Sequence, residues 1–219
     1  MNNTFHLIDR TKWERDIYFD YYYNRIKCRY TLNANIDITE LAAYHKHRGL
    51  KFFPTMLYVI MRVVNANKEF RMDFDSNNRL GYWEEVVPSY TVFHDETKTF
   101  TDVWSEYDRD FSTFYDTVLR DMETYGGITG VIKARPGQPR NFCPCLPWLS
   151  YTAFAQDTYV ENSLLFPLIK FGKYFERDGR LLLPFSVSVH HAVADGYHTC
   201  KLINDVQEMV ADPSAWFNL

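Results

Sequence analysis

The amino-acid sequence predicts an α+β fold, a single domain over residues 1–219 built on a mixed β-sheet flanked by helices. Segments of helical period and segments of alternating β-branched and aromatic residues are interspersed without strict strand–helix alternation. No internal repeat recurs, and no Pro-, Gly- or Ser-rich linker divides the chain. With 219 residues, 46% hydrophobic and 24% charged, the chain can bury one full core without disulfide or metal staples.

The elements follow in order. Thr11 with Glu14 fits a capping box, and Trp13, Ile17, Tyr21 and Tyr22 recur at helical spacing, which predicts a helix over about 12–24. Arg29 to Ile36 reads as a strand. Thr39 caps a second helix through Leu41 and Tyr44 that Gly49 stops, and Pro54 sits in the first turn of a third through Met56, Ile60, Val63 and Val64. Residues 82–104, rich in Val, Thr, Tyr, Phe and Trp, read as strands, followed by a helix from about Phe111 to Tyr125 ended by Gly126. Gly126 to Arg140 reads as a loop and Trp148 to Phe154 as a strand. Leu164 to Phe175 and Leu181 to His190 flank Asp178-Gly179, a hairpin signal. Leu202, Ile203, Val206, Met209 and Val210 mark a closing helix.

Composition narrows the function. The 24 basic and 28 acidic residues give a net charge of −4, and Lys and Arg are scattered singly, so nucleic acid is not an expected partner. The first residues lack a signal-peptide layout, and no apolar run approaches the roughly 18 residues of a membrane span. The expectation is a cytoplasmic protein with no membrane partner. Cys28, Cys143, Cys145 and Cys200 are too few and too irregular for a disulfide framework and read as reduced thiols. The 17 Phe, 16 Tyr and 5 Trp imply large packed surfaces, including surfaces between subunits.

The chemistry concentrates after the hairpin. Phe185, Val187, Val189 and His191 share one strand parity and Ser186, Ser188 and His190 the other, so the two-residue period places His191 at the end of the apolar face. Dry surroundings disfavour a charged imidazole, and a neutral imidazole is what a general base must be. His190, His191, Asp195 and His198 lack a recognised metal-ligand spacing, so no metal is expected. His45, His47 and His94 read as surface or packing residues.

The string His190-His191-Ala192-Val193-Ala194-Asp195-Gly196-Tyr197-His198 resembles the signature of the chloramphenicol acetyltransferase family: a His-His pair, three residues, Asp-Gly, one residue and His. Further matches stand in the family's order at Trp13-Glu14-Arg15, Tyr22 to Cys28, Ile36-Asp37-Ile38-Thr39, Lys51-Phe52-Phe53-Pro54, Phe70-Arg71-Met72, Thr91 to Phe100, Leu146-Pro147-Trp148 and Asp178 to Pro184, so the resemblance covers nearly the whole chain. It is similar in chemistry to the acyltransferase cores of dehydrogenase complexes, whose lipoyl-bearing segments are not read in this sequence. The resemblance implies acetyl transfer from acetyl-CoA to the hydroxyl of chloramphenicol or a related small alcohol, in a ternary complex with His191 as base. It implies that Asp195 pairs with Arg15 to hold the loop behind the base. Lys51, Phe53 and Trp148 would lie on the coenzyme A side, and Tyr22, Cys28, Thr91 and Phe100 in the acceptor pocket. It also implies a homotrimer in which one subunit supplies the base and its neighbour most of the acceptor pocket.

The sequence departs from that pattern at five positions. Pro144 stands where the family has a serine that bonds the tetrahedral oxyanion, and proline offers no donor; losing one costs about 2.7 to 4 kcal/mol of transition-state stabilisation. Asp102 replaces a small apolar residue, Lys170 a threonine, and Gln156 and Thr158 aliphatic side chains. Two alternatives therefore stand beside chloramphenicol acetylation: an acyltransferase with a more polar acceptor, and the same fold binding a small molecule or partner without turnover.

Overall fold

The computed structural model describes residues 3–128, 139–156 and 164–217. The chain opens with β1 (Phe5–Leu7) and a turn that leads to α1 (Asp16–Asp20), which runs directly into a wider π turn (Tyr21–Ile26) closed by Lys27 at φ 53°. The expected capping box does not form, because the Thr11 amide and hydroxyl both donate to Asp9 Oδ1 at 3.1 and 2.6 Å. The helix accordingly starts at Asp16 rather than near residue 12 and ends later than expected.

The next elements are β2 (Arg29–Asp37), α2 (Thr39–His47) and α3 (Phe52–Ala66). Thr39 opens α2 but donates its hydroxyl to Asp37 Oδ1 at 2.6 Å instead of capping, and Gly49, at φ 66°, lets the chain leave the helix in a left-handed conformation. Pro54 lies in the first turn of α3. Then come β3 (Met72–Phe74), β4 (Leu80–Trp83), β5 (Val87–His94), β6 (Thr99–Trp104) and α4 (Phe111–Gly126), whose first turn is capped by Asp110 accepting from the Thr113 amide at 2.8 Å. The chain closes with β7 (Arg140–Phe142), β8 (Cys145–Leu146), β9 (Leu168–Gly172), β10 (Phe175–Arg177), β11 (Arg180–His190) and α5 (Gly196–Ala211).

The main sheet is mixed. β2 pairs antiparallel with one side of β11, while β9 and β10 pair with the other; β7 then runs parallel to both β9 and β5, and β5 forms a hairpin with β6. β8 runs parallel to β9. A separate small sheet has the order β1-β4-β3. Helix α5 packs on β2 and β11, α4 on β5 and β6, and α3 between them. Their shared core is contiguous and includes Met56, Ile60, Phe114, Ile169, Phe171, Phe185, Val187, Val206 and Val210. The fold is α+β, as the sequence predicts.

Asp178 and Gly179, both at positive φ, make the expected hairpin turn, with Arg177 opposite Arg180. The preceding strand is not continuous over Leu164 to Phe175. The carbonyls of Leu164 and Phe166 accept from the Arg29 guanidinium at 2.5 and 3.1 Å instead of joining a ladder. Further on, the pairing with β11 slips by one residue between Phe171↔Phe185 and Phe175↔Leu182.

The expected strand from Trp148 to Phe154 is irregular chain crossing the sheet. Its polar groups are met elsewhere: the Leu149 carbonyl accepts from the Lys173 amide at 3.0 Å, the Ser150 hydroxyl donates to the Lys173 carbonyl at 2.7 Å, and the Phe154 amide donates to Asn33 Oδ1 at 2.9 Å. Of the loop expected over Gly126 to Arg140, residues 129–138 lie outside the described residues, as does Thr158.

Candidate active site

β11 ends at His190, and His191 begins the turn that follows. The His191 amide donates to the Cys28 carbonyl at 3.0 Å, extending the β2–β11 ladder by one bond. The amides of Val193 and Ala194 both return to the His190 carbonyl, and His190 Nδ1 accepts from the Ala192 amide at 3.1 Å. His190 is fully buried and shapes the turn; Ser186 and Ser188 of its parity are buried too, so β11 has no solvent face here. His191 lies one residue beyond the strand, and its half-buried ring lies flat on Tyr22, centroids 3.7 Å apart and planes within 3°. Tyr30 meets the same ring edge-on at 5.0 Å. Nδ1 of His191 is buried and has no partner among the described residues.

The π turn carries Tyr22 to this position, and such wide turns recur where a helix must aim a side chain. Behind the histidine, Asp195 starts α5. Its Oδ1 accepts from the Tyr197 amide at 3.0 Å and lies 2.8 Å from His198 Nδ1, while Arg15 Nη1 donates to Oδ2 at 2.6 Å. Partial burial disfavours the ionised carboxyl, but the Arg15 and His198 hydrogen bonds outweigh it and hold the acid down at about 2. Arg15 and Asp195 are thus brought together as expected from the family motif. Arg15, Tyr18, Tyr22, His191 and Asp195 line one cavity of about 430 Å³.

The other expected site residues lie elsewhere on this chain. Thr91 and Asp102 are cross-strand partners on the β5–β6 hairpin, Asp102 accepts from the buried Ser89 hydroxyl at 2.9 Å, and Phe100 is exposed. Lys170 lies on β9 and Gln156 is exposed. Pro144 separates two free cysteines: Cys143, buried and donating to Asn141 Oδ1 at 3.0 Å, and Cys145, whose thiol burial pushes up to about 12. Lys51 precedes α3 and donates its amide to the Tyr115 hydroxyl at 2.8 Å; Phe53 packs on Tyr90 and Phe171; Trp148 is exposed, edge-on to Phe93 at 4.7 Å. Tyr22 and Cys28 therefore gather with His191, whereas Thr91, Phe100 and Asp102 do not.

Sequence reasoning did not single out Tyr18, although its spacing of four from Tyr22 is a same-face signal. His198, the closing residue of the signature string, completes a capping box with Asp195 rather than serving a metal. Among the described residues no cluster of His, Cys, Asp and Glu could hold a metal ion, and no helix is long and apolar enough to cross a membrane.

The family model described as chloramphenicol acetyltransferase matches residues 1–207. A chloramphenicol acetyltransferase of Clostridium perfringens is 42% identical, covering 97% of both chains, and one of Clostridium butyricum matches equally well by those measures. One of Campylobacter coli is 36% identical over 93% of this chain and 97% of its own. Among solved structures, a chloramphenicol acetyltransferase superposes with a TM-score of 0.83 at 21% identity, covering 94% of this chain and 100% of that one. A dihydrolipoamide acetyltransferase of Azotobacter vinelandii gives 0.65 at 18% identity over 85% and 83%, a likeness of fold.

Proposed function

The chain belongs to the chloramphenicol acetyltransferase family, a family of enzymes, and from that premise we propose that it transfers acetyl from acetyl-CoA to a hydroxyl of chloramphenicol or a related small alcohol, with His191 as general base. The observation that carries this reading is the His191 imidazole, clamped between Tyr22 and Tyr30 on the wall of a cavity large enough for a small substrate. With Nδ1 turned inward, Nε2 takes the hydroxyl proton as the alcohol oxygen attacks the acetyl carbonyl, then returns it to the departing thiolate. A placed base of this kind contributes about 10²–10⁴-fold. Arg15 and Asp195 are positioning residues: they hold the turn from which the base projects. All residues act in one acetyltransferase domain, for which we propose a cytoplasmic location and neither metal nor nucleic acid as partner.

We further propose a homotrimer with the site between subunits. His191 with Tyr22 and Cys28 lies at the β2 side of the sheet, and Thr91, Phe100 and Asp102 lie three to four strands away, roughly 14–19 Å at ordinary strand spacing. One copy cannot close a pocket over that distance, whereas a neighbouring copy can. Exposed Ile17, Tyr18, Tyr21 and Tyr197 beside the cavity supply apolar surface for such a contact. Thiol release from acetyl-CoA in the presence and absence of chloramphenicol tests the reading. Acceptor-dependent release that His191→Ala lowers at least about a hundredfold is the expected result; release that ignores the acceptor, or stays near the parental rate in the variant, overturns it.

A further inference from the structure

We propose that Lys170 is a catalytic residue of this acetyltransferase, its ammonium donating a hydrogen bond to the oxygen that becomes negative when the acetyl carbonyl is attacked. This rests on the acetyl-transfer reading above and concerns a group that Pro144 cannot supply.

The placement comes from strand register. β8 and β9 pair in parallel with Cys145 beside Phe171 and Leu146 beside Gly172, so one step earlier Pro144 stands beside Lys170. Ile169 and Phe171 are fully buried in the core, Phe171 against Phe53 of α3 at 5.9 Å; alternation sends the Lys170 side chain out of the other face, where Ser186 is its cross-strand neighbour. The strand is held firmly there. The Tyr151 hydroxyl donates to the Lys170 carbonyl at 3.1 Å, and the Ser186 hydroxyl donates to Asn33 Oδ1 at 2.6 Å.

Among the described residues no anion pairs with the ammonium. Nζ sits 4.2 Å from the centroid of the Phe154 ring, and no carboxylate or hydrogen-bond acceptor meets it among the described residues. Lysines ordinarily extend into water or pair, because a partly dried, unpaired cation is costly. Burial here pulls the amine below the usual lysine range, which records that cost. A cation held this way lowers the energy of any negative charge that forms beside it, and acyl transfer forms one. The alcohol oxygen bonds to the acetyl carbon while His191 takes its proton. The carbonyl π pair moves onto oxygen, where Lys170 donates to it. The pair then returns, the carbon–sulfur bond breaks, and the proton passes from His191 to the thiolate. Within one copy the two groups are too far apart to share a carbonyl: His191 lies five residues beyond Ser186 along the chain, about 17 Å at strand rise. Base and donor meet at the boundary between copies.

The test is steady-state kinetics with acetyl-CoA and chloramphenicol on Lys170→Met, Lys170→Arg and Pro144→Ser, with melting temperature to verify folding and calorimetric binding of coenzyme A as a second readout. Lys170→Met is expected to lower kcat about 10²-fold, with both KM values and the coenzyme A affinity within about threefold of the parent. Lys170→Arg should keep most of kcat. Adding Pro144→Ser should raise kcat at least about tenfold in Lys170→Met but only about threefold in the parent, because the hydroxyl and the ammonium serve the same oxygen. Lys170→Thr carries the same expectations if methionine unfolds the protein. The proposal is overturned if kcat stays within twofold, if the loss falls on KM or coenzyme A binding, or if Pro144→Ser multiplies kcat equally in both backgrounds. His191→Ala separates the two readings. If it keeps parental turnover, or if the parent transfers no acetyl, the acetyl-transfer reading fails and takes this one with it; an inactive His191→Ala beside a fully active Lys170→Met sinks the Lys170 role alone.

Discussion

Each of the two adjacent histidines is defined by its contacts rather than by its type. His191 stacks on Tyr22 and lines the cavity, so His191→Ala should reduce kcat by about 10²–10⁴-fold and leave the melting temperature near the parent's. His190 is fully buried and braces the turn, so His190→Ala should instead lower the melting temperature, with activity lost as a consequence. Arg15 and Asp195 share one hydrogen bond, and the double alanine variant should therefore cost less, in stability and in kcat, than the two single losses added. Strict additivity in a double-mutant cycle would count against the pair. Asp195 also sets an acid limit. Its folded carboxyl titrates at about 2, below the roughly 3.9 of an unfolded aspartate, so its contribution is complete above about pH 4 and is lost as pH falls toward 2. Asp195→Asn should flatten that part of the acid-unfolding curve, measured by circular dichroism against pH.

At the scale of elements, two local departures from regular structure build the site. A continued α-helix would space its side chains differently; the π turn over Tyr21–Ile26 brings Tyr22 onto the imidazole. On β9, Gly172 leaves room for the chain that crosses above it: a Cβ there would stand 2.7 Å from the Leu149 carbonyl and 2.9 Å from the Tyr151 ring. Gly172→Ala should cost about 1–3 kcal/mol, read as a lower urea midpoint at unchanged m-value, because backbone and ring must both move. Tyr151 holds the Lys170 carbonyl, so the same variant should lower kcat as well.

For the whole molecule, the decisive feature is the division of the expected site between distant parts of one sheet. Light scattering at micromolar concentration should report three copies, and a fully active monomer would exclude the arrangement. In the proposed trimer, a heterologous interface that closes into a ring would bring the two parts together at each boundary between copies. A sharper consequence follows if base and donor come from different copies. His191→Ala and Lys170→Met, unfolded and refolded together, should recover activity that neither has alone, since mixed rings contain sites with both groups intact. Recovery no greater than the sum of the two separate variants would mean that both groups work within one copy.

The sequence by itself determined the fold class, the long helices over Phe52–Ala66, Phe111–Gly126 and Gly196–Ala211, and the Asp178-Gly179 hairpin, while the pairing of Arg15 with Asp195 was implied by the family resemblance of its motifs. These are legible because helical period, turn chemistry and a dense motif are local properties of the chain. Only the tertiary structure decided that the aromatic run after Trp148 crosses the sheet instead of joining it, and that Tyr22 lies flat on His191. Each of these outcomes is a competition between nearby and distant hydrogen-bond or ring partners. The distant ones, Asn33 for Phe154, Arg29 for Leu164 and Lys170 beside Pro144, come within reach only when the strands have taken their register.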